Sequence, residues 1–199
     1  VTIAPFKAPH AFQALGGIAV LADNTYAAIK GREKLNTQWG TSEHDKYDSD
    51  AYRDELMATA EKEGVVVRQR GDYKEAVKGL TTHSASYYAP HLLHQPMEPP
   101  VATADFKDGR CIVWAPTQNP QAAQDVVAAA LKIPASEVTV HVTLLGGGFG
   151  RKSKPDYVAE AALLSQKIGR PVQVVWTRED DIQHDYFHSV AALKLEAGL

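Results

Sequence analysis

Cysteine is almost missing from this sequence: Cys111 is the only one in 199 residues. One thiol cannot close an internal disulfide, build a thiolate zinc site or hold an iron–sulfur cluster by itself. Its place in the apolar run Cys111-Ile112-Val113-Trp114 reads as a small buried hydrophobe. Long apolar runs are missing too. The longest, such as Asp125 to Leu131, fall far short of the ~20 residues a bilayer crossing needs, and no charged-then-apolar leader opens the chain. Nothing in it reports an address, so periplasm and cytoplasm stand equally open. The third absence is an excess of positive charge. With 21 Lys and Arg against 24 Asp and Glu the formal charge is -3, which gives no field to steer a polyanion, so nucleic acid is not an expected partner. There is no repeat of fixed period and no Gly/Ser or Pro linker.

What is present is a core-forming composition, 44% hydrophobic, arranged in alternating strand and helix patterns. Ile18 to Ala22 reads as a strand, with Asp23 or Asn24 capping a helix over Thr25 to Leu35. Thr37 to Gly40 reads as a short return strand and Ser42 to Asp50 as an exposed loop. A helix capped by Ser49 or Asp50 runs to Glu63 and is ended by Gly64, and Val65-Val66-Val67 follows as a buried strand. A helical turn over Tyr73 to Lys78 precedes a strand over Leu80 to Ala89. Ala102 to Phe106 and Cys111 to Ala115 form a hairpin about Asp108-Gly109. Asn119 as cap and Pro120 at the first position open a helix to Leu131, with Ala122, Val126, Val127, Ala130 and Leu131 as its apolar stripe. A strand over Val138 to Thr143, a helix over Pro155 to Ile168 and a strand over Pro171 to Arg178 complete the pattern. The expected fold class is α+β, a layered mixed sheet with helices packed on it. The chain opens without an initiator methionine, and the alternating run Val190 to Ala197 stops where a hairpin turn to its partner would follow. It therefore reads as an internal piece of a longer protein.

The segment with most chemistry is Gly146-Gly147-Gly148-Phe149-Gly150-Arg151-Lys152-Ser153, between a strand and a helix. Consecutive glycines let the backbone approach an anion and aim several N–H groups at it. Gly146, Lys152 and Ser153 have the spacing of a nucleotide-hydrolase phosphate loop, but Arg151 stands where that motif needs glycine and Pro155 interrupts the helix start. The dinucleotide fingerprint fails because no glycine or alanine follows at the required position. A plain connecting turn and a non-catalytic phosphate- or nucleotide-binding module stay open on these residues alone.

The turn also resembles the Gly-Gly-Gly-Phe-Gly signature of the molybdenum subunit of the xanthine oxidase/aldehyde oxidoreductase family. Three further motifs are similar and in the same order: His94-Gln95-Pro96-Met97-Glu98-Pro99, Ala115-Pro116-Thr117-Gln118-Asn119-Pro120, and Gly169-Arg170-Pro171-Val172 with Trp176-Thr177-Arg178-Glu179-Asp180. Gln183-His184-Asp185 looks like the isoquinoline 1-oxidoreductase β-subunit and membrane-associated aldehyde dehydrogenase branch. The resemblance implies that 81–199 is the N-terminal part of a molybdenum-cofactor-binding domain, preceded by a strand-helix segment in 1–80. It implies a molybdopterin cofactor, in the cytosine dinucleotide form, and oxidation of aldehydes or N-heterocycles with water as oxygen source. By position Gln118 would contact a cofactor oxo group. Phe149 and Gly150 would pack and donate at the metal end, Gly147 would cradle the pterin side, Gly146 and Gly148 would bind the cofactor with them, and Arg151 would neutralise phosphate or pterin charge. The family's general base is a glutamate near the far C-terminus, absent from this chain, so the isolated chain is expected to be inactive. The implied partner is a small subunit or domain carrying two [2Fe-2S] clusters.

Other residues invite a site and have plainer readings. His83, His91 and His94, and His184 with His188 at helical spacing, read as loop histidines in polar networks, not metal ligands. Glu98 fits either a pocket edge or a backbone hydrogen-bond acceptor. Glu179-Asp180-Asp181 reads as a helix-start charge run on a solvated face.

Overall fold

The computed structural model describes residues 1–6, 9 and 14–199. Its elements, in chain order, are β1 (Thr2–Ile3), β2 (Gly17–Ile18), α1 (Thr25–Arg32), α2 (Ser49–Ala60), α3 (Tyr73–Ala76), β3 (Thr82–Ala89), β4 (Val101–Lys107), β5 (Arg110–Ala115), α4 (Pro120–Leu131), β6 (Val138–Val142), α5 (Asp156–Ile168), β7 (Val172–Val175), α6 (Arg178–Gln183) and β8 (Ala191–Gly198). They form two compact units, one of Val1–Thr37 with Leu93–Tyr186, the other of Gln38–Leu92 with Phe187–Leu199.

The larger unit is built on a four-stranded sheet in the order β6-β5-β4-β7. β5 and β6 run parallel and the other neighbours antiparallel, which is the mixed α+β architecture expected from the pattern. The hairpin works because Asp108 and Gly109 both take positive φ, 50° and 79°, whose twist matches that of the flanking strands. Asn119 caps α4 by accepting the Ala122 N–H at 3.1 Å, Pro120 occupies the first turn, and left-handed Lys132 ends the helix. α4 and α5 cover one face of the sheet. Ala102, Ala104, Cys111, Val113 and Ala115 of the strands meet Ala123, Val127, Leu131, Val158, Ala161 and Ala162 of the helices. The many alanines let helix and sheet backbones come close. The four aliphatic side chains in that set, Val113, Val127, Val158 and Leu131, stabilise by roughly 1.5–3 kcal/mol each through burial.

The smaller unit pairs β3 with β8 antiparallel, Thr82 opposite Gly198 through Ala89 opposite Ala191. β8, which holds most of the run Val190 to Ala197, thus takes its partner from a strand about a hundred positions upstream. α2 is capped by Asp48, one residue earlier than expected, and buries no residue. Val65, Val66 and Val67 form no strand and are 92%, 71% and 95% exposed, which overturns their reading as a buried strand. An unbroken valine run signals burial only where a neighbouring strand can take its N–H and C=O groups. Thr37 to Gly40 is likewise no strand, and Ile18 to Ala22 contributes only Ile18 to one.

Candidate cofactor site

The sheet topology brings three of the sequence motifs, and the Trp176–Asp180 half of the fourth, to one end of the larger unit. β5 and β6 are adjacent and parallel, so the segments leaving them, Pro116 to Asn119 and Thr143 to Gly150, emerge side by side. A Thr143 N–H to Ala115 C=O bond of 3.2 Å continues the ladder past the strand ends. β4 runs antiparallel to β5, which puts the 94–100 segment at the same end, and β7 delivers α6 there as well. Open sheets bind ligands beyond such strand ends.

Two flanking side chains hold the glycine turn. Glu98 bridges its start: the Glu98 N–H donates to Gly146 C=O at 3.0 Å, and the Gly146 N–H donates to Glu98 Oε2 at 3.1 Å. Gln118 holds its end, where Oε1 accepts the Gly150 N–H at 3.0 Å. These contacts explain the glycines. A Cβ on Gly146 would sit 2.6 Å from Glu98 Cβ, and one on Gly148 2.5 Å from Gln118 Oε1. Gly147, Phe149 and Gly150 take positive φ of 95°, 52° and 104°. Such a backbone is strained at a non-glycine residue, and Phe149 is also 68% exposed, a combination that marks functional turns.

The donor set left over is specific. Among the described residues the N–H groups of Gly147, Gly148 and Phe149 have no acceptor, whereas those of Gly146, Gly150 and Arg151 are spent inside the loop. Because Gln118 Oε1 must face the Gly150 N–H, its amide nitrogen is turned away as a donor. Three successive main-chain donors beside one neutral amide suit an electron-rich, oxygen-bearing anion. No group of three or more His, Cys, Asp or Glu among the described residues could hold a metal directly.

Three sequence expectations change here. Gly146 spends its N–H on Glu98 and holds the turn's start. Gly150 does not donate outward, because Gln118 takes its N–H. Arg151 spends its charge on carboxylates inside the protein. It is 0% exposed, bonded to both oxygens of Asp156 at 2.9 Å, 3.4 Å from Asp185, and stacked between the Trp176 and Tyr186 rings at 5.1 Å from each centroid. Burial alone would lower the guanidinium's pKa, but the Asp156 hydrogen bonds hold it above the ordinary value. Lys152 is equally buried and paired with Glu98. The lysine a phosphate loop would extend to a nucleotide is therefore committed inside the protein, and that alternative loses its main residue.

The chain matches a known family. Residues 58–199 fit the model of the molybdopterin cofactor-binding domain. The chain belongs to this family. The isoquinoline 1-oxidoreductase subunit beta of Brevundimonas diminuta is 29% identical over 96% of this chain and 26% of its own length. A membrane-bound aldehyde dehydrogenase of Gluconacetobacter polyoxogenes is 34% identical over 87% of this chain and 23% of its own. The chain thus spans about a quarter of these relatives. Among solved structures, the aldehyde oxidoreductase of Desulfovibrio gigas superposes with a TM-score of 0.58 at 22% identity, over 64% of this chain and 14% of that one. Quinoline 2-oxidoreductase of Pseudomonas putida 86 gives 0.58 at 24%, over 65% and 17%. These likenesses show a common fold. The resemblance drawn from the four motifs is borne out at family level.

Outside the turn, this molybdopterin-binding domain assigns the ambiguous residues. Glu98 accepts a backbone hydrogen bond and a buried lysine together. His94 is fixed by Asp185, whose carboxylate accepts the His94 N–H at 2.6 Å and lies 3.0 Å from Nδ1. His91 contacts Tyr47 Oη at 2.8 Å. α6 ends at Gln183, so His184 and His188 do not share a helix face. The Glu179-Asp180-Asp181 run is not simply solvated: Asp181 is buried beside Arg178, and Asp180 closes a capping box with Thr177 while binding Arg32. The Glu98–Lys152 and Asp185–Arg151 pairs had no sequence signal, since their partners lie tens of residues apart and no periodicity links them.

Proposed function

We propose that this chain is part of the large subunit of a molybdenum hydroxylase that oxidises aldehydes or N-heterocycles, with residues 81–199 forming the N-terminal part of the cofactor-binding domain and 1–80 preceding it. The observation that carries this reading is the row of acceptor-free N–H groups at Gly147, Gly148 and Phe149 beside the Gln118 amide. A molybdopterin, proposed here as the cytosine dinucleotide, would supply the redox-active metal centre and oxygen transfer from water. This chain's residues would bind and orient it. Gly147 and Gly148 would donate to its anionic or pterin oxygens, Phe149 would offer its N–H and cover it with an exposed ring, and the Gln118 amide would donate to an oxo group. Gly146, Gly150 and Arg151 shape the turn from behind.

We assign Glu98, which accepts from Gly146 and Lys152, to shaping the turn. We place the general base outside residues 1–199, which makes these residues inactive alone. Electrons would leave through a small partner carrying two [2Fe-2S] clusters, in keeping with the single buried cysteine here. The test is metal and nucleotide analysis of the native polypeptide purified with its partners. Molybdenum with a releasable cytidine nucleotide is expected. Magnesium-dependent nucleotide binding without molybdenum would sink the reading, and turnover by residues 1–199 alone would refute the placement of the base.

A further inference from the structure

A buried charge cluster lies directly behind the turn, and the function proposed above gives no role to Asp185 at its centre. Asp185, its side chain 1% exposed, accepts the His94 N–H at 2.6 Å, lies 3.0 and 3.2 Å from His94 Nδ1, and faces Arg151 Nε at 3.4 Å. Each partner touches the turn. The Arg151 N–H donates to Gly148 C=O at 2.8 Å. The His94 ring backs Gly150 so closely that a Cβ there would be 3.2 Å from Nε2. From His94 the chain runs on beneath the remaining glycines: the same test on Gly147 meets Pro96 at 3.5 Å, and on Gly146 meets Glu98 at 2.6 Å. Arg178 ties this segment down by donating to Pro96 C=O at 2.6 Å and Met97 C=O at 3.0 Å.

An arrangement of this kind is an expensive way to fill a core. Buried ion clusters are commonly neutral or unfavourable relative to apolar packing of the same volume, and their best-attested use is to fix one geometry. The geometry fixed here is that of a turn strained at Phe149, in which the N–H groups of Gly147, Gly148 and Phe149 have no acceptor among the described residues. Asp156 already neutralises Arg151 through two bonds of 2.9 Å, so the second carboxylate is surplus to charge pairing. Its distinct contribution is to join Arg151, on the C-terminal side of the turn, to His94, on the strand-leading segment beneath it.

We propose that Asp185 is a positioning residue for the cofactor turn, acting through His94 and Arg151 to hold the Gly147–Phe149 donors in their ligand-ready arrangement. This rests on the reading that the turn binds molybdopterin, and the test separates the two. Asp185→Asn keeps the size and one acceptor for the His94 N–H but removes the charge. In the native polypeptide made without molybdate, chymotrypsin should cut after Phe149 ~10-fold faster in the variant, with the overall melting transition retained. Made with molybdate, the variant should hold ~10-fold less molybdenum per folded polypeptide, the loss typical when a supporting residue behind a metal site is removed. The Mo(V) electron paramagnetic resonance spectrum of the remaining fraction should be altered. Asp185→Glu should recover part of both. Unchanged cleavage and unchanged molybdenum content would overturn the proposal, as would a lowered melting temperature with normal content per folded molecule. If Asp185→Asn does not fold, His94→Gln, which leaves Asp185 on Arg151, decides: wild-type cleavage and content there overturn it equally. A parent protein that cleaves slowly at Phe149 but carries no molybdenum would refute the functional reading and leave the positioning role to the cleavage result.

Discussion

The two compact units put a similar share of apolar residues to different use. In the larger one, the stripe of α4 and the inward faces of β4 and β5 meet each other, and side chains such as Val113, Val126, Val127 and Val158 are fully enclosed. In the smaller one, α2 encloses nothing, and Val65 to Val67, Tyr87, Leu193 and Leu195 remain exposed. A two-stranded sheet is marginal alone in water, whereas three or more strands backed by helices can stand. Stability and precision should therefore concentrate in the larger unit, where the cofactor turn sits.

The most damaging single change should fall on the buried ion pair. Asp156→Ala leaves Arg151 enclosed without its bidentate partner and should cost ~3–5 kcal/mol of unfolding free energy in urea titration. Leu131→Ala, which empties space at the end of α4, should cost ~2–5 kcal/mol. If either were as mild as a substitution in the smaller unit, the contrast between the units would fail.

A site variant sharpens the comparison at smaller cost to the fold. Gly148 has no positive φ, so Gly148→Ala is harmful only through its Cβ, which meets the Gln118 amide at 2.5 Å. We expect ~10-fold weaker cofactor retention, read as molybdenum per polypeptide, with much smaller loss from a neighbouring exposed position such as Leu144→Ala. Equal losses at both would show that retention does not depend on Gln118 being seated against the turn.

A pH effect of intermediate size belongs to the same unit. Burial, with the nearby Asp156 charge, pushes the Glu160 carboxyl up to about 7, against the Trp176 N–H bond of 2.9 Å that favours its charged form. The folded state therefore binds this proton more tightly than the unfolded state, and stability falls as pH rises from the ordinary glutamate range to about 7. Glu160→Gln should remove that slope and stabilise the protein at pH 8 by ~2 kcal/mol. A slope unchanged in the variant would assign it to another group.

How much of this was legible follows the same divide. Asn119-Pro120, Asp108-Gly109 and the α4 stripe are local signals, each complete within a dozen residues, and the structure realises them nearly to the residue. The order of the four motifs gave the family, and the parallel β5–β6 pair explains why the Gln118 segment and the glycine turn converge. Arg151 was misjudged because sequence shows a charge beside glycines but not that Asp156 and Asp185 enclose it. The β3–β8 pairing was not legible either, since hydrophobic alternation reveals a strand but not a distant partner.

The smallest effect is expected where sequence and structure disagree most. Three successive valines ordinarily predict a buried strand, and truncating an enclosed valine costs around 1 kcal/mol or more. Val66 is 71% exposed, with no sheet neighbour, so Val66→Ala removes little surface from a nonpolar environment. The change should stay within ~0.5 kcal/mol, as surface substitutions do, in urea unfolding of the native polypeptide. The same truncation at Val127, fully enclosed between α4 and the sheet, supplies the contrast within one protein. Should Val66→Ala cost as much as Val127→Ala, the valine run is covered in the native protein, and the contrast drawn between the two units fails.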